Sequence, residues 1–522
     1  MDSFVAADTS QPVLDTTIAG ILRATASSCP DATALVAGVA DPAERRRWTY
    51  AALAEEAERV AGALAARFGT GERIAVYAPS IPESLILTYA AAMAGLVLVP
   101  VNPALRAAEL GHLLARSGAT GVFCTDEHRG TDLVGVVHEA QRDLPGLREV
   151  TRFADWATFS DGAVADLADR DPRPDDVAQI IFTSGTTGAP KGARLTHRAM
   201  TNAARFGAVR FGMRPGDVYV DTMPLFHVGG QVVAFQIAQQ QASAVLVTTF
   251  DPGLVLELIE TYEGTLTVGV PTMLLAMIDH PDFARRDLSS LRSISSGGAV
   301  VPADLVRHIE ATLGVQSTIV FGQTEACGFI SQTDLDDAAE DKAATLGRPL
   351  PQMAARVVDP DTGKVVHTGV VGELQVSGYN VMAGYHEAPE DTAAAVANGW
   401  LHTGDLVTMD DRGYLRIAGR LKEMIVSGGE NIFPVEIEAL LTSHPAVAQV
   451  AVVGVPDRRW GEAAVAVIRL VPGASVTAME LQSFAGDRLA GYKVPKRWVF
   501  VDELPMTPMG KVKKFVLQDR FA

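Results

Sequence analysis

Alternating strand-like and helix-like segments are the feature that most limits the fold of this chain. Between about residues 48 and 284, an amphipathic stretch at 51–68 precedes a β-branched run at 73–77, and 84–94 precedes 96–101 in the same way. Strands that alternate with helices form largely parallel sheets, because each helix carries the chain back to the same edge of the sheet. This part of the chain is therefore predicted to be α/β.

The pattern changes twice along the sequence. After Pro349, short strands separated by Asp-Pro, Thr-Gly and Asp-Arg-Gly turns predict a small β-rich subdomain. Beyond Gly419, helix and strand patterns resume for about one hundred residues, the size of a small domain. Because 522 residues are too many for one core, we predict a large N-terminal domain, residues 1–420, and a small α+β C-terminal domain, residues 421–522.

Residues 183–191 carry the strongest indication of function. They read Thr-Ser-Gly-Thr-Thr-Gly-Ala-Pro-Lys, after a predicted strand at 177–182 and before a predicted helix from Thr196. Hydroxyls and bare backbone N–H groups bind phosphate oxygens, and the lysine adds a positive charge. The run lacks the glycine spacing of a Walker loop. A flexible polar surface loop is the alternative interpretation of such a cluster.

Composition and charge restrict the possible partners. The chain is 48% hydrophobic and 20% charged, as is typical of globular enzymes. A net charge of −18 argues against nucleic-acid binding, although a few local cations can still hold a small anionic substrate. Cys29, Cys124 and Cys327 are widely spaced and contain no CxxC pair, so neither a disulfide framework nor a structural zinc site is predicted. Cys327 is interpreted as a buried thiol rather than a nucleophile.

Neither targeting nor membrane-spanning sequence is evident. The N-terminus lacks the basic start and apolar core of a signal peptide. The most apolar stretch, residues 85–101, is short for a span and contains Gly95 and Pro100, so it is predicted to be a buried helix that turns into a strand. We expect no integral membrane segment and a cytoplasmic location.

Five further motifs follow the 183–191 run in a fixed order. They lie at residues 321–325 (Phe-Gly-Gln-Thr-Glu), 372–385 (Gly-Glu-Leu-Gln-Val-Ser-Gly-Tyr-Asn-Val-Met-Ala-Gly-Tyr), 400–406 (Trp-Leu-His-Thr-Gly-Asp-Leu), 419–438 (beginning Gly-Arg-Leu-Lys-Glu) and 504–511 (Leu-Pro-Met-Thr-Pro-Met-Gly-Lys). The ordered set resembles the adenylate-forming (ANL) superfamily, which includes acyl-CoA synthetases, peptide-synthetase adenylation domains and beetle luciferases. The resemblance covers nearly the whole chain.

The resemblance implies a nucleotide site and a first reaction step. A carboxylate oxygen attacks the α-phosphate of ATP and gives an acyl-adenylate and pyrophosphate, so the site must stabilise phosphate charge. Glu325 would bind Mg²⁺, the ring of Phe321 would stack on adenine, Asp405 would accept hydrogen bonds from the ribose hydroxyls, and Arg420 would support ribose and phosphate. The residues implied to bind ATP or AMP are Thr183, Ser184, Gly185, Thr186, Thr187, Gly188, Lys191, Gly298, Phe321, Gly322, Gln323, Thr324, Asp405, Arg420 and Lys511.

The resemblance also implies that the C-terminal domain moves. Lys511 would lie between the carboxylate and the α-phosphate in the first step, and would leave when the small domain rotates at Lys422 for thiol attack. A loop of Ser427, Gly428 and Gly429 would then flank the pantetheine arm of coenzyme A. The basic residues Arg488, Lys493, Lys496 and Arg497 are either CoA phosphate contacts or a solvated surface.

Residues 224–230, Pro-Leu-Phe-His-Val-Gly-Gly, resemble the acyl-pocket segment of fatty-acyl and aryl CoA ligases. His227 would lie at the carboxylate end, and no aspartate is present there to hold the ammonium group of an amino acid. Gly322 stands where relatives specific for short acids carry tryptophan, so it is expected to leave room for a medium, long or aromatic acid, and a tryptophan there should favour short acids. The expected pocket residues are His227, Val228, Gly229, Gly230, Val270, Gly297 and Gly322.

These expectations describe an AMP-forming acyl-CoA ligase that uses ATP, Mg²⁺ and CoA. Its catalytic residues would be Lys511, His227, Glu325 and Lys191. Free CoA is the expected acceptor because only eleven residues follow Lys511. A separate carrier protein is the alternative acceptor, and a non-catalytic nucleotide-binding regulator or a luciferase-like oxygenase are alternatives of other classes. A homo-oligomer is possible.

Overall fold

The computed structural model describes residues 1–161, 165–183, 190–298, 301, 303–427, 430–506 and 512–522. Over these ranges the chain forms the strands β1 Phe4–Val5, β2 Thr33–Gly38, β3 Arg47–Thr49, β4 Arg73–Tyr77, β5 Val97–Val101, β6 Ala119–Cys124, β7 Glu127–His128, β8 Thr131–Asp132, β9 Glu149–Arg152, β10 Val177–Thr183, β11 Lys191–Thr196, β12 Val218–Asp221, β13 Ser243–Val247, β14 Leu266–Val268, β15 Ser293–Gly297, β16 Gln316–Phe321, β17 Ser331–Gln332, β18 Arg348–Pro349, β19 Met353–Val358, β20 Gly372–Gly378, β21 Val396–Ala397, β22 Trp400–Met409, β23 Leu415–Arg420, β24 Ile425–Ser427, β25 Glu430–Ile432, β26 Val447–Asp457, β27 Gly461–Leu470 and β28 Arg497–Phe500.

The α-helices of the same ranges are α1 Ile18–Ser28, α2 Tyr50–Ala65, α3 Pro82–Met93, α4 Ala107–Ser117, α5 Leu133–Gln141, α6 Trp156–Ser160, α7 His197–Arg210, α8 Val228–Gln239, α9 Pro252–Thr261, α10 Pro271–Ile278, α11 Ala303–Leu313, α12 Ala339–Ala344, α13 Pro389–Ala395, α14 Pro434–Thr442, α15 Ala478–Gly486 and α16 Lys514–Phe521. No helix in the described ranges is long and apolar enough to cross a membrane.

Two large sheets form the first part of the chain. One has the strand order β11-β10-β5-β4-β6-β9, and the other has the order β18-β17-β16-β15-β14-β12-β13-β2-β3. In both, the interior strands are parallel and antiparallel pairs occur toward the edges. The α/β prediction for this part is confirmed, and the carboxyl ends of the parallel strands are where open sheets of this class bind ligands.

The β-rich subdomain predicted after Pro349 is present, and its strands pair antiparallel between residues 353 and 420. Strands β1, β19, β20, β22, β21 and β23 form a sheet with the first strand of the chain at one edge. The last part has a separate sheet of β25, β24, β27 and β26, with β28 paired to β27. This sheet has its own buried cluster, which includes Ile437, Ile468 and Leu481 against one face.

Helix α3 and strand β5 occupy the apolar stretch that the sequence predicted to be buried. Every residue of α3 except Glu83 is buried, and the chain turns into β5 at Gly95, which has a φ of +67°. Because L side chains rarely adopt this conformation, glycine is the residue that suits the turn. The apolar stretch is therefore explained by burial on all sides of a core helix.

The segment after residues 183–191 differs from the prediction. The helix begins at His197 as expected, and the Thr196 side chain caps it by accepting from the Ala199 N–H. Between the loop and this helix, however, the chain forms strand β11, antiparallel to β10. Sequence reasoning missed this strand because Lys-Gly-Ala-Arg-Leu-Thr lacks the apolar alternation of a half-buried strand. The glycine- and hydroxyl-rich run therefore joins two strands of a hairpin.

Candidate active site

The hairpin of β10 and β11 fixes two of the predicted phosphate-binding residues. Thr183 is the last residue of β10 and lies opposite Lys191, the first residue of β11. The Thr183 hydroxyl donates to the Lys191 carbonyl over 3.4 Å. Both side chains are therefore anchored at the base of the hairpin on paired backbone, which restricts their movement more than a free loop would.

Lys191 is already engaged by two side chains. Its ammonium group forms an ion pair and hydrogen bond with Asp391, from the first turn of α13. It also lies 5.4 Å from the centre of the Tyr385 ring, within cation–π range. Neither Asp391 nor Tyr385 was assigned a role from sequence, although Tyr385 ends the 372–385 motif.

Tyr385 also binds the predicted magnesium residue. Its hydroxyl donates to Oε1 of Glu325 over 2.8 Å. Burial, followed by the charge of Glu325, raises the pKa of Tyr385 well above its ordinary value, so the hydroxyl stays protonated and donates. One side chain therefore contacts both the lysine of the 183–191 run and the acidic residue of the 321–325 motif.

The segment around Tyr385 is hydrogen-bonded to Gly192 and Arg194 of β11. The Arg194 N–H donates to Gly384 O over 3.0 Å, the Ala383 N–H donates to Arg194 O over 2.9 Å, and the His386 N–H donates to Gly192 O over 2.8 Å. This backbone pairing fixes where the Tyr385 ring lies relative to Lys191, so the contact between them is built by the fold.

The next motif begins where the parallel strand β16 ends. Phe321 is its last residue, and Gly322, Gln323, Thr324 and Glu325 follow, all half-buried. A short 3-10 turn, Thr324–Ala326, carries Glu325 away from the strand. Polar residues that follow a parallel strand in this way lie at the edge of the sheet where ligands bind.

Gly297 ends the neighbouring strand β15, and Gly298 follows it. Gly297 lies opposite Val320, and a Cβ on Gly297 would overlap the Val320 carbonyl oxygen. Gly298 has a φ of +72°, and a Cβ there would lie 3.8 Å from a methyl group of Val270. The two glycines are therefore explained by a close approach of backbone and by an unusual backbone conformation. Val270, another residue expected to line the acyl pocket, lies beside Gly298.

The expectation for Gly322 needs correction. A Cβ on this residue would overlap the carbonyl group of Gly328 and approach the Phe329 nitrogen to 2.7 Å. The Cα–Cβ direction therefore points at backbone and not into open space. Glycine is required here by the turn that follows β16, so the proposed tryptophan substitution cannot report chain-length preference without moving that turn.

Helix α8 presents the predicted acyl segment. His227 is its N-cap residue, and Nδ1 of its ring accepts from the Gly229 N–H over 3.2 Å. The neutral ring therefore carries its proton on Nε2. A Cβ on Gly230 would overlap the Pro224 carbonyl, and the side chain of Val228 packs 3.2 Å from the Cβ position of Gly328. The acyl segment thus packs against the turn that follows Glu325.

A buried carboxyl group lies just before this segment in the chain. Asp221, the last residue of β12, is 1% exposed and accepts from the Met223 N–H over 2.9 Å. Burial raises the pKa of this carboxyl to about 7. Sequence reasoning missed Asp221 because only the sheet, which places it on a buried face, distinguishes it from an ordinary turn residue.

The predicted ribose residues form a pair in a second hairpin. Asp405 of β22 lies opposite Arg420 of β23, and their side chains form an ion pair at 3.0 Å. The Asp405 side chain is 3% exposed, whereas that of Arg420 is 47% exposed. The exposed guanidinium of Arg420 therefore lies between solvent and the buried carboxylate of Asp405 and pairs with it.

Two further residues support the backbone beside Asp405. Glu373 is 6% exposed, and its carboxylate accepts from the Gly404 N–H over 3.2 Å and lies 3.0 Å from Nδ1 of His402. The Thr403 hydroxyl accepts from the Asp405 N–H over 3.1 Å. Glu373 and His402 were quoted within motifs without a role, and their contacts across β20 and β22 assign them to this turn.

The residues expected to form the hinge and to flank CoA lie beyond β23. Lys422 is exposed within a 3-10 turn, Leu421–Glu423, and Ser427 is a buried residue of β24 opposite Gly461. Of the basic residues, Lys493 forms an ion pair with Glu436 at 2.7 Å, and Arg497 donates to the Phe521 carbonyl over 2.8 Å. Those two contacts are internal to the C-terminal part.

Several predicted residues lie outside the described ranges. They are Ser184, Gly185, Thr186, Thr187, Gly188, Gly428, Gly429 and Lys511. The residues that the structure brings together are Thr183 with Lys191, Lys191 with Glu325 through Tyr385, Gly298 with Val270, and Asp405 with Arg420. Cys327 is fully buried, and burial raises the pKa of its thiol, which agrees with the interpretation as an inert side chain.

Comparison with known families accounts for this arrangement. The family model of the AMP-binding enzyme matches residues 22–386, and the model of the AMP-binding enzyme C-terminal domain matches residues 436–511. The chain belongs to the AMP-binding enzyme family. The resemblance that the ordered motifs indicated is thereby confirmed.

Relatives with related activities align over most of the chain. A feruloyl-CoA synthase of Amycolatopsis sp is 39% identical over 91% of this chain and 94% of its own length. The mitochondrial medium-chain acyl-CoA ligase ACSF2 of Mus musculus is 33% identical over 99% of this chain and 89% of its own. The crystal structure of ATP-bound MatB from Rhodopseudomonas palustris superposes with a TM-score of 0.87 at 30% identity, covering 97% and 99% of the two chains.

This AMP-binding enzyme is an AMP-forming acid–CoA ligase of the acyl-CoA synthetase family. Enzymes of this kind use ATP, Mg²⁺ and CoA. The carboxylate of Glu325, half-buried and oriented by the Tyr385 hydroxyl, has the hard oxygen donors that Mg²⁺ prefers, so the residues present fit that ion.

Proposed function

We propose that this enzyme converts a medium-chain, long-chain or aromatic carboxylic acid to its acyl-CoA thioester. In the first step the carboxylate oxygen forms a bond to the α-phosphorus of ATP while the bond to pyrophosphate breaks. In the second step the CoA sulfur forms a bond to the acyl carbon with loss of the thiol proton, and AMP leaves with the carboxylate oxygen. Both steps develop charge on phosphate oxygens and need fixed donors more than a proton shuttle.

The observation that carries the proposal is the shared contact of Lys191 and Glu325 with Tyr385. A cation at the base of a glycine- and hydroxyl-rich hairpin can bind phosphate oxygens, and a carboxylate beside it can hold the ion that accompanies them. Glu325 would hold Mg²⁺, which when bound would offset the negative charge of the phosphates. Asp405 and Arg420, buried and exposed respectively, suit a ribose and a phosphate group.

The acid is assigned to the α8 side of the site. The Nε2–H of His227 is a donor that suits a carboxylate, and Val228 and Val270 offer apolar contacts. Gly322 carries no part of this assignment of acid size, because backbone already occupies the space into which a Cβ would project. The support for an aromatic or medium-chain acid therefore comes from the apolar residue types and from relatives named for feruloyl and medium-chain acyl substrates.

We also propose that residues 421–522 move as a unit. In this scheme the chain pivots at Lys422, Lys511 acts in the first step alone, and Ser427, Gly428 and Gly429 flank CoA in the second. The exposed position of Lys422 immediately after β23 is compatible with a pivot. The cytoplasmic location and the possible homo-oligomer stay predictions.

The test is a panel of acids from acetate through palmitate, with benzoate and cinnamate, each supplied with ATP, Mg²⁺ and CoA. We expect AMP release and a chromatographically identified acyl-CoA with acids of medium length or longer, or with a ring. Activity confined to acetate and propionate would contradict the substrate class. AMP release with no thioester, followed by loading of a separate carrier protein, would favour the alternative acceptor.

A further inference from the structure

Lys191 has an anionic partner that the adenylation chemistry does not need. The ammonium group is paired with Asp391, and the two side chains are 37% and 44% exposed. Asp391 lies in the first turn of α13, beside Glu390. The backbone of Tyr385 is tied to the same helix, because the Thr392 hydroxyl accepts from the Tyr385 N–H over 2.9 Å. Helix α13 therefore carries the counter-ion and also anchors the ring that faces Lys191.

An incoming phosphate must share the lysine with this carboxylate. A lysine ammonium group is one point charge with three donors, so a phosphate drawn to it approaches Asp391 as well. Two anions near one cation repel each other, and the stronger of them displaces the weaker. Because the pair is partly solvated, breaking it costs less than breaking a buried ion pair.

We propose that Asp391 competes with the phosphates of ATP for the charge of Lys191. Asp391 thereby raises the ATP concentration that the enzyme requires. The inference rests on the proposed function, specifically on the assignment of residues 183–191 as the phosphate site. Tyr385 would keep Lys191 in place without Asp391, because the ring contact does not involve the carboxylate.

The test compares two substitutions on one helix turn. Asp391→Asn removes the competing charge, and Glu390→Gln removes the same charge one residue away, from an exposed side chain that forms no ion pair within the described ranges. Binding of ATP with Mg²⁺ to each full-length protein is measured by calorimetry. We expect Asp391→Asn to tighten ATP binding about 2- to 5-fold, the range for a pair of this exposure, and Glu390→Gln to change it far less. The difference in ATP affinity between the two variants should become smaller at high salt concentration.

Steady-state kinetics distinguish competition from a structural role. Competition lowers the KM for ATP by more than it changes kcat, and Asp391→Glu, which keeps the charge, restores the native KM. Damage to α13 would lower kcat without lowering KM. Weaker or unchanged ATP binding in Asp391→Asn, or an equal gain in Glu390→Gln, would overturn the proposal.

A double substitution distinguishes failure of this proposal from failure of the proposed function on which it rests. If Asp391 acts through Lys191, Asp391→Asn should have no effect on ATP affinity in a Lys191→Met background. An equal gain in ATP affinity in both backgrounds would contradict competition for Lys191, but it would not affect the assignment of the phosphate site. If Lys191→Met alone binds ATP as tightly as the native protein, the phosphate site itself is misassigned.

Discussion

The pair of Asp405 with Arg420 and the pair of Lys191 with Asp391 are built by different means. Asp405 and Arg420 lie opposite each other in neighbouring strands of one hairpin, so strand register alone brings them together. Lys191 and Asp391 are 200 positions apart, and meet because backbone hydrogen bonds attach the segment around Tyr385 to β11. The first pair is encoded locally, and the second depends on the tertiary fold.

The two ion pairs also differ in how much free energy is needed to break them. The Asp405 carboxylate is almost completely buried, so losing its partner would leave a charge without solvent. Lys191 and Asp391 are both partly exposed, so water can replace either partner at little cost. A buried pair suits a permanent structural element, whereas an exposed pair suits a contact that is exchanged when a substrate binds.

The largest effect is expected from a residue that belongs to neither pair. Lys511→Ala should slow adenylate formation about 100-fold or more, the scale of removing one preorganised donor. It should affect thioester formation from a supplied acyl-adenylate far less, because the proposed pivot removes the lysine before that step. The two half-reactions are measured separately, with Lys513→Ala as the control. Equal losses in both half-reactions would refute the two-position scheme.

The second-largest effect is expected from removing the charge of Lys191. Lys191→Met should weaken binding of ATP with Mg²⁺ about 10-fold or more, since a charged hydrogen bond to phosphate is lost. The free energy of unfolding should stay within about 0.5 kcal/mol of the native value, because the side chain is partly exposed. Calorimetric titration and urea denaturation measure the two quantities. A large loss of stability would make Lys191 part of the permanent framework.

Asp405→Asn should show the opposite balance. It keeps the volume of the side chain but removes the buried charge that faces Arg420, so we expect a loss of about 1–2 kcal/mol in the free energy of unfolding. Affinity for ATP should fall about 5-fold, since an amide accepts ribose hydrogen bonds less well than a carboxylate does. If stability is unchanged and only ATP binding suffers, the contrast between the two pairs is lost.

Tyr385→Phe should give the smallest effect and isolates one contact. The ring that faces Lys191 remains, but the hydroxyl that donates to Glu325 is removed. We expect the Mg²⁺ concentration for half-maximal activity to rise about 2- to 5-fold, the usual value of one hydrogen bond. Tyr379→Phe, which removes a buried hydroxyl elsewhere, provides the comparison. An unchanged magnesium requirement would mean that Tyr385 does not orient Glu325.

Much of the fold followed from periodicity. The strand at 73–77, the helix over 84–94 and the β-rich part after residue 349 were predicted from patterns confined to each segment, and the structure has them. Strand β11 was missed because its sequence contains Gly192 and charged residues, and pairing with β10 overrides that local preference. Local pattern is sufficient where burial repeats regularly along the segment.

The site divides in the same way. Asp405 and Arg420 were selected from the sequence because each stands in its own motif, and the register of one hairpin brings them together, whereas their roles stay predictions. The contacts of Tyr385 and Asp391 could not, since they depend on α13 and β11 meeting across the fold. Gly322 was misinterpreted for a related reason: its sequence position is informative, but the direction of the missing side chain is a property of the backbone.

The crowding behind Gly322 has a practical consequence for redesign. Anyone who wishes to retune this catalyst toward smaller acids cannot do so by inserting a bulky group at that position, because the neighbouring peptide at Gly328 already fills the space. Val228, a buried residue at the start of α8 that is expected to line the acyl pocket, is the better position to vary. Libraries of variants should therefore begin at the start of α8 and keep the glycine.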